Sequence, residues 1–107
     1  MARIAKRLYG PSAAPTTTTT LYTVPSTTKT IVRHIHLSNP TAGALTVTLS
    51  IGADAAGTRI FDAYSIAAGS VLDHWCYYVL EAAQILAGFA SAATLVITID
   101  GDEIVLG

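Results

Sequence analysis

The chain has 107 residues, a mass of 11.1 kDa and a net charge of −1, which fits one domain and excludes a generally basic nucleic-acid binder. Apolar residues fill 51% of positions and charged residues 12%, about half the usual charged share of roughly 25%. That balance argues against a disordered chain and against a solitary, thoroughly solvated monomer.

The first seven residues are basic through Arg3, Lys6 and Arg7, and no acid precedes Asp54. Pro11, Pro15 and the threonine run Thr16 to Thr20 follow with no apolar period. Residues 1–19 are therefore expected not to pack on their own core, and to be either an extended arm that reaches across an acidic neighbouring subunit or a disordered tail. No apolar run follows the basic start, so it does not read as a secretory signal. From residue 8 onward three bases stand against seven acids, leaving a basic arm on an acidic body.

Residues 20–107 read as a β-sandwich domain. Leu21 to Val24 is a short strand closed by Pro25-Ser26, and Thr28 to Asn39 a long one ended by Asn39-Pro40. Arg33 interrupts the apolar face of Ile31, Ile35 and Leu37; a bulge there would make Val32 the core residue instead. Leu45 to Ile51 alternates Leu45, Val47, Leu49 and Ile51 with Thr46, Thr48 and Ser50, the pattern of a half-buried antiparallel strand. Thr58 to Ile66 is the next strand. Val71 to Leu80 carries large side chains on both faces and is expected to be buried on both. Ala82 to Ile99 is an 18-residue uncharged run of membrane-spanning length. Gln84, Gly88, Ser91, Thr94 and Thr98 within it, and the alternation near its end, favour two strands, Ile85 to Phe89 (with a short alanine-rich helix from Glu81 as the alternative) and Thr94 to Ile99. No membrane partner is expected. Asp100-Gly101 reads as a two-residue hairpin turn, with Asp102 to Leu106 folding back as a last strand. The whole is all-β: an antiparallel β-sandwich or jelly roll of about seven or eight strands.

His34 and His36 lie two apart on one strand and so share a face. With His74 they form a candidate metal set. Metal-binding cupin jelly rolls follow a similar His-x-His with a glutamate four or five residues on, where this chain has Pro40 and Thr41. The histidines are accordingly read as surface or interface residues, and no metal or cofactor is expected. Asp100, Asp102 and Glu103 cluster as calcium ligands do, but without an EF-hand loop they read as solvated acids. Cys76, the lone cysteine, excludes an internal disulfide. A pairing with His74 would activate its thiol, yet its aromatic neighbours favour a core or interface role. Trp75, Tyr77, Tyr78, Tyr64 and Phe61, flanked by Asp62 and Asp73, suit a carbohydrate platform or a protein interface. The interface is preferred, because so little charge leaves apolar surface to be covered. Its expected members are Arg3, Lys6, Arg7, Arg33, Trp75, Tyr77 and Tyr78. No nucleophile, base and orienting group assemble into a catalytic set, so an enzyme is not expected.

The segments Leu21-Tyr22-Thr23-Val24-Pro25, Lys29-Thr30-Ile31-Val32, His36-Leu37-Ser38-Asn39-Pro40, Ala44 to Ile51 and Ile97-Thr98-Ile99-Asp100-Gly101 resemble small β-sandwich structural proteins of tailed bacteriophage virions. The resemblance spans about residues 20–104 and rests on strand and turn patterns. At the late turn such domains often show Gly-Asp, and this chain has Ala82-Ala83-Gln84. The resemblance implies a non-enzymatic virion component, foremost a capsid decoration or cement protein, or else a neck or tail protein. The implied partners are copies of itself and other virion proteins such as the major capsid protein. A small carbohydrate- or metal-binding module is the alternative.

Overall fold

The computed structural model describes residues 2–106, which form eight strands and no helix. In chain order they are β1 (Ala2–Ala13), β2 (Thr19–Thr23), β3 (Thr28–Ser38), β4 (Leu45–Ile51), β5 (Arg59–Ile66), β6 (Val71–Leu80), β7 (Ile85–Ala90) and β8 (Val96–Val105). The antiparallel pairs β1·β8, β2·β7, β3·β6 and β4·β5 are nested, as in one long hairpin folded between β4 and β5. Two further pairings, β3·β8 and β4·β7, roll that hairpin into two sheets. Their orders are β1-β8-β3-β6 and β2-β7-β4-β5, the double Greek key of a jelly roll.

The core lies between the sheets. Val32, Ile35 and Leu37 of β3 and Ile97 and Ile99 of β8 meet Val47 and Leu49 of β4 and Leu86 of β7, all essentially inaccessible. Each such side chain contributes about 1.5–3 kcal/mol by leaving water. Val32 is inside because β3 bulges at Arg33, where its register with both neighbours shifts.

Four local expectations need correction. Residues 2–13 do not stand off as an arm: β1 is hydrogen-bonded along β8, and Leu8 and Ala14 join the core. The chain then crosses between sheets, with Ala14 N donating to Leu95 O and Ala90 N to Pro15 O. Asp100-Gly101 is not a turn, since β8 runs straight through it between β1 and β3. A Cβ on Gly101 would lie 2.1 Å from Ile31 O, so glycine there permits close strand approach. β4 is a central strand buried on both faces; Thr48 Oγ1 accepts from Ala63 N, and Ser50 Oγ donates to Asp54. Conversely, β6 is an edge strand with one face open to solvent. The 82–99 run divides between a turn, β7, a second turn and the start of β8, and no helix among the described residues is long and apolar enough to cross a membrane.

Candidate functional site

The outer face of the β1-β8-β3-β6 sheet gathers most of the residues singled out from sequence. β8, in the interior of the sheet, presents Asp100 and Asp102 there. On one side β1 brings Arg3 and Arg7, and on the other the bulge in β3 puts both Arg33 and His34 outside, between the buried Val32 and Ile35. Arg3 Nη2 donates to Asp102 Oδ2 at 2.8 Å, Arg33 Nη1 to the same oxygen at 3.1 Å, and Arg7 Nε to Asp100. Lys6 Nζ pairs with the buried Glu103, 3.2 Å away. The pairing is dictated by register: Ala5 opposes Asp102 and Arg7 opposes Asp100. The basic segment is thus neutralised by its own chain and is not held out for an acidic neighbour. The acids at 100–103 are likewise ion-paired, not freely solvated. An open recess of about 500 Å³ lies here, lined by Arg3, Arg33, His34, Trp75, Asp100, Gly101 and Asp102.

The aromatic residues divide into two groups, because alternate residues of a strand point to opposite faces. Trp75 and Tyr77 project outward from β6, 75% and 64% exposed, with Val71 and Val79 beside them. The Arg33 guanidinium carbon lies 5.8 Å from the centre of the Tyr77 ring. Tyr78 points the other way, onto the rim of the core, and its hydroxyl is 3.0 Å from His74 Nε2. Phe61 on β5 is buried, with the edge of His74 against it and Tyr64 tilted at 5.6 Å. No single sugar-binding platform therefore assembles from the five. Asp62 is engaged by Arg59 at 2.7 Å.

The three histidines divide in the same way. His74 has the parity of Cys76 and Tyr78 and turns away from His34 and His36. In its place stands Asp73, directly opposite His36 in the β3·β6 register. Asp73 Oδ1 accepts from His36 Nδ1 at 2.6 Å and from His34 Nε2 at 2.9 Å. The hydrogen bond from His36, followed by that from His34, holds the Asp73 carboxyl below the usual carboxylate range against partial desolvation. The His34 ring stacks on Trp75 at 3.9 Å and 13°. Asp73 was legible in the sequence only as a neighbour of the aromatic group; its role becomes visible once β3 and β6 are known to pair.

Cys76 does not meet His74. Its Sγ donates to Val32 O at 3.4 Å, and burial pushes the thiol pKa up, the opposite of nucleophile activation. Comparison with protein-family models, with curated proteins and with solved structures finds no match to this chain.

Proposed function

We propose that the protein is a non-enzymatic virion structural subunit, of the capsid-decoration kind, which assembles with copies of itself along β6. One observation carries the assembly: Val71, Trp75, Tyr77 and Val79 stand exposed in a row on an edge strand whose outer backbone edge has no partner among the described residues. Natural edge strands are ordinarily blunted by lysine, proline or a covering loop. Over its ten residues β6 carries a single charge on that face, Asp73, already engaged by two histidines. A second copy is the fitting occupant, because two identical antiparallel edge strands are self-complementary about a two-fold axis. The arginines and aspartates of the face largely neutralise one another, so no net field selects a charged foreign partner. The strand and turn resemblance to phage virion proteins supports the particle setting, with neck or tail as the second location.

Light scattering on the eluting protein tests the assembly. A dimer or larger species is expected at micromolar concentration, and a Tyr77→Lys, Val79→Lys double variant is expected to be monomeric with an unchanged circular dichroism spectrum. A monomeric wild type overturns the assembly claim. Mass spectrometry of purified particles tests the setting: the chain is expected as a stoichiometric component, and its absence overturns the virion assignment.

A further inference from the structure

We propose that His34, His36 and Asp73 form a binding site for one borderline divalent transition metal ion, of the zinc class, on the outer surface of the sheet. The three ligating atoms lie within 4.8 Å of one another, with the two histidine nitrogens at 2.9 and 2.6 Å from the same carboxylate oxygen. Around a tetrahedral zinc with bonds of roughly 2.0–2.1 Å, neighbouring ligand atoms are about 3.3 Å apart. Entry of the ion therefore asks only for small side-chain rotations, with no change in either strand.

The donor set selects the ion. Two imidazoles and one carboxylate suit zinc, cobalt, nickel and copper, whereas calcium and magnesium demand oxygen ligands. The nitrogens that would ligate are those that now face Asp73, so in the bound state each ring must carry its proton on the other nitrogen. For His34 that proton goes to Nδ1, which lies 3.9 Å from Asp100 Oδ2, beyond hydrogen-bond distance until the ring turns toward it. For His36 it goes to Nε2 on a partly exposed ring. Trp75, stacked on His34, keeps that ring from swinging away. The site remains accessible, with side-chain exposures of 16% for His34, 34% for His36 and 45% for Asp73, so water can fill the remaining coordination positions.

This arrangement differs from the cupin His-x-His pattern. The carboxylate comes from the adjacent strand β6, and the ligands point away from the space between the sheets.

The test uses the untagged, chelator-treated full chain, titrated with zinc by calorimetry and with cobalt by visible absorption. One ion per chain is expected, with zinc displacing cobalt. His36→Ala and Asp73→Asn should each weaken binding at least about tenfold, the loss that even an outer-sphere partner commonly produces. His74→Ala should leave binding unchanged. Circular dichroism checks that each variant is folded. Absence of saturable binding by either ion overturns the site, as does binding that survives both ligand variants or is lost equally in His74→Ala. Repeating the titration on Tyr77→Lys, Val79→Lys separates this outcome from the assembly question, because binding is expected there too.

Discussion

Tyr22 on β2 and Glu103 on β8 belong to opposite sheets, and the phenol donates to the carboxylate where the sheets meet. Lys6 of β1 holds the same carboxylate at 3.2 Å, and Thr30 Oγ1 lies 2.8 Å from the Tyr22 hydroxyl. Glu103 is buried, and these partners satisfy its carboxyl oxygens. Burial first, and the Glu103 bond next, push the Tyr22 phenol up to about 12. Tyr22→Phe removes one donor from a buried carboxylate and is expected to cost about 2 kcal/mol in urea denaturation. In a double-mutant cycle with Glu103→Gln the double variant should lose less than the sum of the two single losses. Strict additivity would show that the two groups are not coupled.

The basic N-terminal segment is structural in this fold, which makes its removal informative. Deleting residues 1–13 strips β1 from β8, uncovers the core around Leu8 and exposes a new strand edge. The shortened chain is expected to lose its cooperative unfolding transition or to aggregate during expression. A truncated protein with an unchanged urea midpoint would restore the view of a detachable arm.

Most strands were legible because period-two alternation and turn residues are local signals, and Leu45–Ile51 and Val71–Leu80 have the bounds their patterns indicate. What each strand faces is not local. β4, with its threonines and serine, reads as half exposed yet lies between β7 and β5 with its polar face bonded to residues 54–63. β6, with large residues on both faces, reads as central yet is an edge. Their burial is opposite to what composition suggests because what packs over each face, not hydropathy, decides coverage. The ion pairs of β1 had a sequence signal in the matching of three bases at 3–7 with three acids at 100–103. Reading Asp100-Gly101 as a hairpin concealed it. The His34, His36, Asp73 cluster needed the β3·β6 register, which no single segment contains.

Asp54, in the loop before β5, is held below the usual carboxylate range foremost by Arg59, which donates from Nε at 2.8 Å and from Nη2 at 3.2 Å, and further by Ser50 and Thr18. Asp62 shares the same guanidinium, at 2.7 Å. A carboxyl with a folded pKa below its unfolded value of about 3.9 stabilises the fold above that value, and the contribution is lost as pH falls through the folded pKa. Asp54→Asn is therefore expected to be less stable than wild type near neutrality, with the gap closing as the solution is acidified below about pH 4. Chemical denaturation across that range reads the gap directly. A gap independent of pH would mean that Asp54 acts through loop geometry and not through its charge.

Gly101 offers the sharpest check on the path of β8. A methyl group there would meet Ile31 O at 2.1 Å and Leu8 Cδ1 at 2.9 Å, and the carbonyl belongs to the neighbouring strand of the ladder. Leu8 can rotate, but Ile31 O cannot retreat without opening the β3·β8 pairing beside the Arg33 bulge. Gly101→Ala is thus expected to destabilise by about 3 kcal/mol, at the upper end of ordinary overpacking. Gly43, with nothing within 4 Å of its would-be Cβ and no left-handed φ, is the control. Its alanine variant should be neutral or stabilised by up to about 1 kcal/mol through the unfolded state. Urea midpoints of the two variants side by side separate the cases. Were Gly101→Ala as mild as Gly43→Ala, the close approach of β3 to β8 would be refuted.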